Sequence, residues 1–444
     1  MSATARKGAI SEPKGIWVEK AIAVARERQS ATLPAAAQKL AHEAASVWGK
    51  LLFPTPSLEE WKYTNPEEIA AASLALPPAI PAQLSEDEIG RFCVPQLECS
   101  RLVFVDGHFS EKLSRMPSQA GLTVSRLQSG GEQPFGALKA HETEPFAALA
   151  SALLSDGVCV SVQKNIAVTT PLHIIHLATK GAESCVITPR LFIEAGECSQ
   201  VTVVESSVSL GGAARYLSLP ITEVRAAQGA TVDLYKFQEE SPGAFHVSNT
   251  DVEQSRDSTV RTHIFSFGGQ LVRNNVNVRL AGSNCNAVLN GLSVLSSSQH
   301  VDNATMIHHI EPSSESREHF KGIYADKSRG VFSGTITVEQ IAQKTNAFQS
   351  NQALLLSPNA SLETRPQLKI WADDVKCTHG ATVGQLNAEA MYYLRSRGID
   401  RETARNFLVH AFASEVLTSV QLEPLKQYVE GVLSAKLDGE IGAN

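Results

Sequence analysis

The chain has 444 residues, a formal net charge of -7 and 43% hydrophobic residues. An acidic balance, with a pI near 6.0 and no basic block, argues against nucleic acid as the main partner, since nothing would neutralise phosphates. This length suits two or three domains or one elongated architecture, and a mean hydropathy of -0.09 allows a large soluble core.

The leader "MSATARKGAISEPKGIW" lacks the apolar core of a signal peptide. No apolar run approaches the roughly 18 residues of a membrane helix, so no membrane partner is expected. Seven cysteines, odd in number and scattered, do not resemble a disulfide framework. A reducing cytoplasm is the expected compartment. An organelle transit peptide is the alternative, opposed by the short leader and by Glu12.

The first region, 1–98, reads as helical. "GIWVEKAIAVARERQ" and "PAAAQKLAHEAASVWGKLL" carry apolar residues at three- and four-residue spacing. "EEWKYTNPEEIAAA" follows, and the Pro-rich "LPPAIPAQL" reads as a joint. "SRLVFVDGHFS" is a strand with a turn at Asp106-Gly107, and "EPFAALASALLSDG" gives a short helix near 144–155. The region 99–384 otherwise alternates apolar and polar residues over short strands broken by Gly, Asn and Ser.

Aligned on Val201, Val232, Val260 and Val288, four segments repeat at intervals of 31, 28 and 28 residues. A near-constant period without helices predicts a β-solenoid with these valines in one interior column. A β-sandwich also spaces short strands by turns and is the alternative. The region 385–444 is helical again. "NAEAMYYLRSRGI" has Asn387 as its cap and stops at Gly398. The next helix has Asp400 as cap and a stripe of Phe407, Leu408, Ala411, Phe412 and Leu417. The last opens at Pro424. Their apolar faces, including Tyr393, Phe407, Phe412 and Leu417, exceed what three short helices can cover, which marks an interface. A chain ending near Gly384 is expected to stay folded.

Several catalytic signatures are missing. The sequence has no G-x-x-x-x-G-K-[ST], so no ATP site of the P-loop kind is expected, and no G-x-S-x-G, H-E-x-x-H or C-x-x-C. On a strand, His308 and His309 face opposite ways. Cys159, Cys185, Cys198 and Cys285 read as core side chains, and Cys93 and Cys99 are poorly spaced for a metal. "WADDVKCTHGATVGQL" differs. On a strand, Cys377 and His379 share a face, and thiolate with imidazole suits a soft metal. Iron and zinc sites want about four donors. An open solenoid edge pairs with something, so a partner chain is one source of the remainder. A lone C-x-H also has a plain structural reading.

"QLKIWADDVKCTHGATVGQLNAEAMYYLRSRGIDRETARNFLVHAFASEVL", Gln367 to Leu417, closely resembles the SufD branch of the SufB/SufD family, scaffold proteins of the Suf iron–sulfur cluster assembly machinery. "FKGIYADKSRGVFSGTITVEQIAQKTNAFQSNQALLLSPNASLETRP", "EEWKYT" and "LVFVDGHF" carry the same resemblance. It implies a right-handed parallel β-helix flanked by N-terminal and C-terminal helices. It implies a non-catalytic scaffold that pairs with a SufB-like chain at the end of the β-helix. A homodimer is compatible with the chain in isolation. A SufC-like ATPase would dock on the C-terminal helices, here around Tyr393, Arg395, Arg397, Gly398, Phe407, Phe412 and Leu417. His379 would help hold a transient iron–sulfur cluster shared with the partner, with Cys377 a second ligand or an interface thiol. The alternative is a stand-alone solenoid enzyme, such as a carbohydrate-active hydrolase or lyase. That chemistry needs carboxylates paired across a groove, and Asp373 and Asp374 would point apart on a strand.

Overall fold

The computed structural model describes residues 15–80, 82–129, 135–211 and 215–439. The leader up to Lys14 lies outside them. The middle of the chain is a parallel β-solenoid. Among the described residues, one sheet has ten strands and the other twelve, and along the stack successive strands alternate between them, so that each coil adds to both. Strand-to-strand pairing is parallel throughout the stack, from Ser100–Val105 on Leu172–Ala178 to Asn346–Leu355 on Lys376–Gly384. Among the described residues, antiparallel strand pairs stand only at the first coil, between Ser100–Val105 and His108–Phe109 and between Leu122–Arg126 and Asp156–Val162.

Two features make these residues coil. Alternate side chains of each strand enter the lumen, where Val201, Val203, Val232, Leu234, Val260 and Leu289 meet Val224, Val252, Val276, Ile307 and Ile336 from the facing sheet. One turn of each coil carries a left-handed residue. Cys198, Gly229, Asp257, Asn284, Ser313 and Lys344 have φ between 54° and 69°. Small and polar side chains tolerate that conformation best.

The interior column is one residue off the sequence alignment at its fourth member. Val201, Val232 and Val260 are in register, but the next position is Ala287. Val288 pairs with Arg261, faces outward and is half-buried. The coil from Val260 is 27 residues long, and one residue of slip reverses the face. The same offset separates the cysteines. Cys285 is buried, whereas Cys198 occupies the left-handed turn position and is exposed. Cys159 and Cys185 are buried as expected.

Helices α1 (Ile16–Thr32), α2 (Ala35–Leu51), α3 (Glu67–Ala71), α4 (Glu86–Gly90) and α5 (Pro145–Ala152) precede or interrupt the first coil. Trp17, Trp48, Trp61 and Phe146 pack with Phe245, Val247 and Leu271 on the outer face of the twelve-stranded sheet. The "EEWKYT" stretch is a staple there. Arg273 lies under the Trp61 ring at 4.1 Å and pairs with Asp302, whose carboxylate also accepts from Thr64 Oγ1 at 2.5 Å.

Helices α6 (Ala388–Ser396), α7 (Arg401–Leu417) and α8 (Glu423–Asp438) close the chain. Their caps are as expected: Asn387 Oδ1 accepts from Glu389 and Ala390, and Asp400 Oδ1 from Glu402 and Thr403. Helices α7 and α8 cover the outer face of the ten-stranded sheet, where Val409, Val416, Leu425 and Leu433 bury Val204, Tyr235, Phe265 and Leu292. The buried stripe of α7 is therefore Ala404, Val409, Ala413, Val416 and Leu417. Of the stripe read from sequence only Leu417 faces inward fully, and Phe407 is 53% exposed. The residues 401–438 are cover for the sheet, so a chain cut near Gly384 would strip apolar surface rather than stay intact.

Candidate functional site at the open end of the solenoid

The ten-stranded sheet ends on Lys376–Gly384, which among the described residues has a neighbour on one side only. This strand is exposed along most of its length. Register places its side chains without ambiguity. The column Val201–Val232–Val260–Ala287 continues through Ser316 and Ala347 to Cys377. The neighbouring column, Val203–Leu234–Thr262–Leu289, continues through Glu318 and Gln349 to His379. Cys377 and His379 thus share the lumenal face, as the period of two requires. They are the last members of interior columns, with no coil beyond them.

Their surroundings differ. Cys377 is half-buried against the lumenal core, and burial pushes its thiol pKa up. His379 is exposed. Asp373 and Asp374 are not on the strand. They form an exposed bend before it, tied down by Lys344 N donating to Asp374 O at 2.6 Å and Asp374 N donating to Gln343 Oε1 at 2.8 Å. They do not make the facing carboxylate pair of a glycosidase. Among the described residues, no three His, Cys, Asp or Glu side chains gather to hold a metal ion. Cys377 and His379 are two donors on one rim.

Sequence reasoning missed the residues beneath. Glu318 and Gln349 are both fully buried in the lumen. Gln349 Nε2 donates to Glu318 Oε2 at 2.5 Å. Burial raises the Glu318 pKa from the ordinary 4.5 to about 7. Residue type did not single out these two polar residues; only the strand register turns them inward.

The residues read as an ATPase dock separate into two sets. None of the residues of α6 is buried. Tyr393 is 57% exposed, with the Arg397 guanidinium 5.2 Å from its ring centroid. Arg395 is exposed, and Gly398 makes the left-handed stop at φ 88°. Phe407 is exposed as well, whereas Leu417 is buried against the sheet. Phe412 is half-buried and holds Lys321, whose Nζ lies 4.2 Å from the ring centroid and bonds Glu415 Oε2 at 2.5 Å. Lys321 also donates to the Phe412 carbonyl at 2.9 Å. His263 and Asn290 meet Ser419 Oγ at 3.0 and 2.9 Å. These contacts fasten α7 and the turn after it to the strands that lead to the open end.

A solenoid with an exposed terminal strand and two lumenal donors on its rim defines a class: a parallel β-helix with an open end. The comparisons with known proteins are more specific. Residues 177–412 match the family "SUF system FeS cluster assembly, SufBD core domain". The iron–sulfur cluster assembly protein SufD of Escherichia coli is 32% identical over 388 residues, covering 87% of this chain and 90% of that protein. An iron–sulfur cluster assembly SufBD family protein of Synechocystis is 30% identical over 407 residues, covering 88% and 89%. SufD of Bacillus subtilis is 28% identical over 293 residues, covering 65% and 66%. The chain belongs to the SufB/SufD family of iron–sulfur cluster assembly proteins, as a SufD-type member. No helix among the described residues is long and apolar enough to cross a membrane.

Proposed function

We propose that this chain is a non-catalytic scaffold that pairs with a SufB-like chain at its open end and holds a nascent iron–sulfur cluster between them. The observation that carries this reading is the terminal strand Lys376–Gly384. It offers one unpaired edge to a partner strand, and on its lumenal face it offers His379 and Cys377. The cluster is cargo, and the partner supplies the remaining donors. Imidazole is a weaker iron ligand than thiolate and can be protonated, which suits a cluster that must be handed on. Cys377, half-buried and with a raised thiol pKa, serves better as an interface thiol than as a ligand, because a ligand must be thiolate.

ATP-driven opening is the work of a separate SufC-like subunit docked on α6 and the exposed part of α7. The support is α6, none of whose residues is buried and which exposes Tyr393 and Arg395, next to a helix fastened to the solenoid by Lys321 and Glu415. A cytoplasmic location accords with this reading. The test is reconstitution of the three-protein complex with iron and sulfide. His379→Ala should lower bound iron and sulfide while the complex still assembles, and full cluster content in that variant sinks the ligand role. Tyr393→Ala with Arg395→Glu should lose the ATPase in a pull-down and keep the SufB-like partner. Retention of the ATPase at full affinity moves the dock elsewhere.

A further inference from the structure

The lumen beneath the rim is not filled as a core is filled. Between Leu289 and His379, the column passes through Glu318 and Gln349, where earlier coils put Val203 and Leu234. Burying a carboxyl and a carboxamide costs free energy unless each polar atom is paired. The amide nitrogen of Gln349 is paired, to Glu318 at 2.5 Å. Its oxygen is not: Gln349 Oε1 is buried and, among the described residues, without a hydrogen-bond partner. The facing sheet leaves a gap for this side chain. A Cβ at Gly334 would fall 2.1 Å from Gln349 Nε2 and 2.8 Å from the Phe332 ring. Glycine at that position therefore accommodates the glutamine in the lumen.

The next side chain in the column, one strand spacing of about 4.8 Å away, is His379. An imidazole that binds a metal through one nitrogen needs its other nitrogen held by an acceptor, which fixes the tautomer and the ring plane. We infer that Gln349, itself held by Glu318, is a positioning residue for His379: its amide oxygen accepts the inward ring N–H, so that the outward nitrogen presents its lone pair at the open end. This inference rests on the proposed ligand role of His379. It adds that the donor is set from inside the solenoid, by residues that no partner touches. Glu318 fixes which way the amide faces, because its Oε2 takes the nitrogen end. The free end is then an acceptor.

The test uses the full chain and has two readouts. In the isolated protein, the His379 tautomer is read by nitrogen-15 NMR of labelled histidine, with the signal assigned by its loss in His379→Ala. Wild type should favour one tautomer strongly. Gln349→Met keeps the length and removes the acceptor, and should return the ratio to that of free imidazole. Gln349→Glu keeps an acceptor oxygen and should restore the wild-type ratio. Gly334→Ala, which displaces Gln349 without altering its chemistry, should act like Gln349→Met. In the reconstituted complex, loss of the cluster to a chelator should be about 10- to 100-fold faster in Gln349→Met than in wild type and near wild type in Gln349→Glu. An unchanged tautomer ratio and chelation rate in Gln349→Met overturns the inference, as does a Gln349→Glu protein that behaves like Gln349→Met. The two readings fail separately. If His379→Ala retains the full cluster, the ligand role falls, and the tautomer measurement still decides what Gln349 does. If His379→Ala empties the site while Gln349→Met changes nothing, only the positioning role falls.

Discussion

The early coils and the last coil are built on the same two columns and behave differently. Val201 and Val232 stand where Cys377 stands, and Val203 and Leu234 where His379 stands. Strand geometry is the same in both places. Coverage differs: Val232 has a coil on each side and is fully buried, while His379 has a coil on one side and is exposed. An interior position becomes a binding position where the stack stops. The comparison breaks most visibly under a charge. Val232→Asp places an unpaired carboxylate in the apolar lumen and should cost several kcal/mol, about 4 or more. Cys377→Asp puts the same group in the same column at the open end, where water solvates it, and should cost far less. Urea midpoints of the two variants measure this, and equal losses would show that the last coil is sealed like the others.

Glu318 lies between these extremes, two coils from the end and still fully buried. Its pKa is raised from 4.5 to about 7. Below pH 4.5 the group is protonated in both folded and unfolded chains and has no effect on their balance. From pH 4.5 to about 7 the unfolded chain releases the proton and the native chain keeps it. Stability falls as pH rises through this window, by roughly 1.4 kcal/mol per unit and on the order of 3 kcal/mol in all. Glu318→Gln should remove that slope. The variant should match wild type near pH 4.5 and exceed it at pH 8. The same pH slope in the variant would mean that the carboxyl is ionised in the native lumen after all.

The solenoid was legible in the sequence because its two requirements are periodic. Val201, Val232 and Val260 repeat at coil length, and Asp257, Asn284 and Ser313 mark the turns. The caps Asn387 and Asp400 were legible because capping is local. Register was not, since coil length varies by a few residues and a shift of one exchanges lumen for surface. Val288 and Cys198 were misplaced for that single reason, and Glu318 and Gln349 were invisible for it. The face of α7 that packs on the sheet could not be picked out, because Phe407 and Phe412 dominate the apolar stripe by size. The sheet instead takes the smaller Val409, Ala413 and Val416, which let the helix approach. Cys377 and His379 were found by residue type, their two-residue spacing and the family resemblance, yet their place at the end of interior columns follows only from the strand pairing.

The finest version of the comparison sets two adjacent residues of one coil against each other. Ala287 is 1% exposed and lumenal. Val288 is half-buried on the outer face, and its cross-strand neighbours are Arg261 on one side and Arg317 on the other. Ala287→Asp buries a charge and should destabilise as Val232→Asp does. Val288→Asp loses a β-branched side chain, a cost of up to about 1 kcal/mol in a strand. It also gains a carboxylate between two guanidinium groups, and opposite charges across strands return roughly 0.2–1 kcal/mol. The two effects offset, so the urea midpoint of Val288→Asp should stay within about 0.5 kcal/mol of wild type. Arg261 already bonds Asp233 at 2.9 Å, so Arg317 is the arginine that gains. Raising salt should therefore destabilise Val288→Asp slightly relative to wild type, because an exposed pair is screened. A large loss in Val288→Asp together with tolerance of Ala287→Asp would restore the 28-residue spacing and put Val288 in the column.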